Sequence, residues 1–148
     1  MYLVDTFEGV PLERWSQAEI AAGADSAQWA YVQQAATRDV YAEVVEKFQG
    51  FSSVKVIRGV VPDILGEIDS TSIGCLLLDL NCAYPEEKAL NRLWDKVVTG
   101  GLIISDDFGH SRPGEGYYQQ KLMFDEFAKS KGLPVLTLPT GHGLVVKC

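Results

Sequence analysis

No apolar run in this 148-residue chain approaches the ~18 residues a membrane-spanning helix requires. A charged-then-apolar leader with a small-residue cleavage site is also missing. The expectation is therefore a cytoplasmic protein with no membrane partner. Cysteine is scarce: Cys75, Cys82 and Cys148 are odd in number and lack metal-knuckle spacing. Free thiols in a reducing compartment are expected. Basic charge is short as well, with 13 Lys and Arg against 20 Asp and Glu, for a net charge of −7. The Lys and Arg residues are scattered rather than striped, which excludes a general affinity for nucleic acid. Such acidity suits a protein that gathers a cation or cationic cofactor, although solubility is its ordinary meaning. Repeats, low-complexity tracts and linkers are absent, so residues 1–148 read as one domain with a real core.

Two periodicities are present instead. The short run "YLVD" (2–5) ends in an acid, and "SVKVIRG" reads as a β-branched strand stopped by Gly59. "IGCLLLDL" is a continuous apolar run, the pattern of a strand covered on both faces. Between these, Val40, Tyr41, Val44, Val45 and Phe48 repeat at helical spacing within a helix expected from about 26 to 48. "VPDILGEI" is a short helix or turn. Pro85 opens a second helix, with Glu86 and Glu87 matching its dipole. Leu90, Leu93, Trp94 and Val97 form its buried stripe, and Gly100-Gly101 is its expected stop. "GLIISDD" is the next strand, and a helix over about 117–130 follows. "LPVLTLPTGHGLVVKC" closes as two short strands around Pro139 to Gly143. Strands alternating with helices predict an α/β layer with a largely parallel sheet and an antiparallel final pair.

The acids stand out against this frame. "LIISDDFG" (102–109) places Asp106 and Asp107 side by side at the mouth of a strand, and Asp79 and Asp5 end two others. Ligands of open α/β sheets bind at such strand ends. If the strands of Asp79 and Asp106 are neighbours, three carboxylates converge and raise one another's pKa unless a cation sits among them. Mg²⁺ with retained waters fits best, and Ca²⁺ or Mn²⁺ would also suit oxygen ligands. Any one of these aspartates alone has an ordinary alternative as a helix cap or turn former. Asn81 either orients a ligand or simply forms a turn. "GHSRPGEGYYQQK" reads as a lid over the site, in which His110 is a candidate general base. His142 in "PTGHG" is a weaker candidate. Tyr117 and Tyr118 offer pocket walls, with one of them expected in the core.

Together "YLVDTFEGVP", "LLLDLNCAYPEEKALNRLWDKVVTGGLIISDDFG" and "LPTGHGLVVK" resemble the class I S-adenosylmethionine-dependent methyltransferases related to macrocin O-methyltransferase. The likeness spans most of the chain outside residues 14–50. It implies a Rossmann-like methyltransferase sheet in three layers, mostly parallel with a C-terminal antiparallel strand. The implied activity is a Mg-assisted O-methyltransferase acting on a hydroxyl of a sugar or other small metabolite. In that likeness Asp5 holds the cofactor ribose, with Thr6 and Phe7 alongside, and Gly59 and Val60 border the adenine. Asp79, Asp106 and Asp107 match the metal ligands, and Asp79 also matches the proposed general base.

The resemblance has two departures. "DLNCAY" carries Asn81 where the family has a second acid, and its tyrosine comes one place late, so Tyr84 is not assigned to the site. Met1 stands directly before the family's second strand, which leaves the first strand and its Gly-rich loop without a counterpart. Closing up of the flanking strands, a partner chain in the gap, or a longer parent protein would each answer this, and a homodimer is expected from the exposed apolar surface. The competing class is a non-catalytic relic that keeps the metal cluster as a binding or assembly module. A phosphoacceptor receiver domain would carry its adjacent acids on the first strand. A haloacid-dehalogenase-type phosphatase would need a second acid in "VDTFEG", and a dinucleotide oxidoreductase would need G-x-G-x-x-G.

Overall fold

The computed structural model describes residues 1–24, 39–109 and 112–148. The first part of the helix expected over 26–48, and His110, lie outside the described residues. Among the described residues there are six strands: β1 (Tyr2–Asp5), β2 (Lys55–Arg58), β3 (Ile73–Leu78), β4 (Val97–Ser105), β5 (Leu136–Thr137) and β6 (Gly143–Val146). The α-helices among the described residues are α1 (Gln17–Ala21), α2 (Val40–Phe48), α3 (Ala83–Leu93) and α4 (Tyr118–Ser130). β1 and β2 pair in parallel, and the other strands form a sheet in the order β3-β4-β6-β5. There β3 and β4 run parallel, while β6 lies antiparallel to both β4 and β5. Only β6 runs against the rest, which is the mostly parallel sheet with one C-terminal antiparallel strand. Among the described residues β1 and β3 share no ladder, so the two sheets stay separate rather than closing up.

The core forms where alternation meets helical spacing. Leu78, Ile103 and Val145 point to one face of the larger sheet and are 2%, 0% and 0% exposed. Ala89, Leu90 and Leu93 of α3 and Phe124, Phe127 and Ala128 of α4 pack over that face. Ile57, Val61, Leu65 and Ile68 extend the same cluster to the β2 side. Burying such side chains contributes roughly 1.5–3 kcal/mol each relative to exposure. Membrane crossing is a separate matter: no helix among the described residues is long and apolar enough to do it.

One boundary differs from expectation. Gly100-Gly101 does not stop a helix but lies inside β4, because α3 ends at Leu93 and a short 3-10 turn (Trp94–Lys96) leads into the strand. Val97 and Val98 are β-branched, so the extended form begins before the glycines are reached. Gly100 adopts φ 79°, and the β3–β4 register shifts between Ile73 and Cys75 to absorb the irregularity. Trp94 accordingly leaves the helical stripe and stacks edge-on against Phe127.

Candidate metal centre

Register brings the acids together. Leu78 is paired with Ser105 in the parallel β3–β4 ladder, and the Asp106 N–H continues the ladder by donating to the Leu78 carbonyl at 3.0 Å. Asp79 and Asp106 are therefore level at the carboxyl ends of adjacent strands, with Asp107 one place on. Asp79, Asp106 and Asp107 each offer a carboxylate oxygen within 4.8 Å of the others. Burial pushes the Asp79 carboxyl pKa above its ordinary value, and the charges of Asp106, Asp107 and Asp5 push it further. Three acidic oxygen donors at this spacing, one with its charged form disfavoured, fit a hard divalent cation whose charge would reverse that penalty.

Each of these acids has a nitrogen donor against it. The Asn81 Nδ2 donates to Asp79 Oδ1 at 3.4 Å. Asn81 sits at φ 57°, a left-handed conformation that asparagine tolerates better than most residues. His142 Nε2 lies 2.6 Å from Asp106 Oδ1, and its Nδ1 is hydrogen-bonded with the Thr140 hydroxyl. Gln120 Nε2 reaches Asp107 Oδ2 at 3.4 Å. His142, the weaker histidine candidate, is thus at the cluster, and Gln120 was not anticipated at all.

The turn after the double acid is held by β6 and the turn that leads into it. The Gly109 N–H donates to the Gly141 carbonyl at 2.7 Å. A Cβ on Gly109 would approach that oxygen to 2.7 Å, and one on Gly143 would meet the Phe108 ring at 2.6 Å. These glycines let two backbones and a ring come close enough to fix Asp106 and Asp107.

The remaining candidates fall nearby. Asp5, Thr6, Gly59, Val60, Asp79 and Asn81 all line one cavity of about 60 Å³. Asp5 Oδ1 accepts from the Phe7 N–H at 2.6 Å, which shapes the turn leaving β1. Phe7 itself lies outside that cavity's lining and packs edge-on against Tyr41, ring centroids 5.1 Å apart. Neither Tyr117 nor Tyr118 is fully buried. Burial, and then the charges of Asp107 and Asp79, push the Tyr117 hydroxyl pKa above its ordinary value. The paired acids Glu86 and Glu87 part company. Glu87 pairs with Lys88 at 3.1 Å, while Glu86 turns inward and is 1% exposed.

Comparison with known proteins places this geometry. The O-methyltransferase NovP is similar over 99% of this chain and 59% of its own, at 19% identity and a TM-score of 0.76. CalS11, a calicheamicin methyltransferase, is similar over 98% of this chain and 59% of its own, at 17% identity and a TM-score of 0.66. The S-adenosylhomocysteine-bound methyltransferase PaMTH1 of Podospora anserina covers 99% of this chain, at 15% identity and a TM-score of 0.52. The chain thus spans about three-fifths of the length of NovP and CalS11. At these identities the likeness establishes the Rossmann-like methyltransferase fold. No curated protein sequence matches the chain. Residues 1–132 match the macrocin-O-methyltransferase (TylF) family model, and the chain belongs to that family.

Proposed function

We propose that this chain carries the metal half of an S-adenosylmethionine-dependent O-methyltransferase acting on a hydroxyl of a sugar or another small metabolite. The observation that carries the reading is the convergence of Asp79, Asp106 and Asp107 within 4.8 Å at the ends of neighbouring strands. Family membership supports it. So does the description of CalS11 as a TDP-rhamnose 3'-O-methyltransferase.

Asp79, Asp106 and Asp107 would hold Mg²⁺ or another divalent cation, which supplies acidification of the acceptor hydroxyl. The methyl group transferred to that hydroxyl would come from bound S-adenosylmethionine, with S-adenosylhomocysteine as the thioether left behind. Asp79, through a carboxylate oxygen not committed to the cation, would take the proton released by the acceptor hydroxyl. Asp5, Thr6, Gly59 and Val60 present one wall suited to a ribose and a flat base. That wall encloses about 60 Å³, whereas pockets for ligands of this size run to roughly 300–1,000 Å³. The described residues would therefore border the cofactor without enclosing it.

Calorimetric titration with MgCl₂ and with S-adenosylmethionine, followed by label transfer from methyl-labelled cofactor to a set of sugar nucleotides, tests the proposal. Cation binding abolished by Asp106→Asn, with cofactor heat and labelled product, supports it. Silence towards both ligands overturns it. The small cavity favours a second reading, a non-catalytic module that binds the cation alone. Cation heat without cofactor heat selects that one.

A further inference from the structure

We infer that Glu86 and Gln120 are positioning residues that set Asp107 and the backbone after Asp79 at one fixed separation, an assignment that rests on the metal-centre reading. Both side chains are 1% exposed, on helices whose other buried residues are Pro85, Ala89, Leu90 and Leu93 of α3 and Phe124, Phe127 and Ala128 of α4. A polar pair there costs more than an apolar pair of the same size. Its hydrogen bonds all lead to the acids. Glu86 Oε1 accepts from the Leu80 N–H at 3.1 Å, one residue beyond Asp79. The same oxygen accepts from Gln120 Nε2 at 3.0 Å, and that nitrogen also donates to Asp107 Oδ2 at 3.4 Å.

An amide nitrogen has two hydrogens, so one serves Glu86 and the other Asp107. A primary amide can turn end for end, and the Glu86 acceptor decides which end faces the acid. Reversed, the Gln120 oxygen would confront a carboxylate and be repelled. Glu86 Oε2 and Gln120 Oε1 are buried without a hydrogen-bond partner. Unsatisfied buried atoms of this kind persist where a role offsets their cost. Glu86 thus links the end of β3, through α3 and α4, to the acid after β4. Its contribution is to ligand spacing rather than to holding the helices together.

The test compares Glu86→Gln, Glu86→Leu and Gln120→Leu with Leu93→Ala, a core truncation remote from the acids. Free Mn²⁺ is measured by electron paramagnetic resonance, and hydrogen exchange at the Leu80 amide is followed in metal-free protein. Glu86→Gln keeps an acceptor oxygen and should stay within about threefold of the parent in Mn²⁺ affinity. Glu86→Leu and Gln120→Leu should weaken Mn²⁺ about tenfold or more, the usual effect of losing a ligand's outer partner. Glu86→Leu should also expose the Leu80 amide without lowering Tm. Leu93→Ala should lower Tm and leave Mn²⁺ affinity unchanged. Parental Mn²⁺ affinity and Leu80 protection in Glu86→Leu would overturn the assignment. If the parent binds no Mn²⁺ that Asp106→Asn removes, the metal reading fails. The positioning role then stands or falls on Leu80 exchange alone.

Discussion

The two faces of the four-stranded sheet share the same strands and have opposite fates. On one, Leu78, Ile103 and Val145 are sealed under α3 and α4. On the other, Leu77, Leu102, Leu136 and Val146 are 59%, 38%, 51% and 36% exposed, although they are just as apolar. The registers Cys75–Leu102–Val146 and Leu77–Ile104–Leu144–Leu136 make this second set a continuous patch. Apolar composition alone therefore does not secure burial. A helix must lie over the face, and the acidic cluster is reached from the face that has one, since Glu86 and Gln120 come from α3 and α4.

The sharpest way to break this comparison is truncation. Ile103→Ala should cost about 4 kcal/mol by urea unfolding, within the range for buried aliphatic truncations, and Leu77→Ala under about 1 kcal/mol. Similar losses would mean that both faces are packed in solution.

Next comes pH. Burial raises the Glu86 carboxyl to about 7, so the folded chain keeps a proton that the unfolded chain has released. Stability should then fall as pH rises from about 4.5 to 7 and level off above, by roughly 3 kcal/mol for a shift of this size. Asp79, raised mainly by burial and then by its acidic neighbours, works in the same direction. Chemical unfolding in metal-free buffer at pH 5 and 8 measures the slope, which Glu86→Gln should flatten.

Gly143→Ala should follow at about 1–3 kcal/mol, because the new methyl overlaps the Phe108 ring. It should weaken Mn²⁺ binding as well, by shifting the Asp106–Asp107 turn. Unchanged Mn²⁺ affinity in calorimetry would separate that turn from the cluster.

Smallest in stability is Leu77→Lys, expected within about 0.5 kcal/mol. Sedimentation velocity on the parent and this variant tests the expected homodimer. A shift to monomer in Leu77→Lys would make the open face its seat.

Much of this was legible in the sequence. Cover on both faces of "IGCLLLDL" is not found, since Leu77 is 59% exposed. The runs "IGCLLLDL" and "GLIISDD" marked two strands ending in acids, and the cluster followed on the condition that those strands were neighbours, which the β3–β4 ladder meets. Local pattern was enough because an apolar strand must end at the sheet rim, where its next residue meets solvent or ligand. The outer donors were not legible. Gln120 sits on α4, where a glutamine looks like a surface residue, and His142 is 36 residues from Asp106. Glu86 fitted the helix dipole so well that its burial gave no local sign. Only tertiary approach distinguishes it from Glu87. Gly100-Gly101 misled for a related reason, since glycine marks a helix end and a strand irregularity alike.

The clasp of Gly141 and Gly143 on the Phe108–Gly109 turn has a consequence for the order of events during synthesis. β3, β4 and the three acids leave the ribosome well before residues 141–146 exist outside it. A nascent chain displaying those acids would not yet have the strand that fixes two of them in place. The cation capture proposed above would then come late, after translation has passed β6.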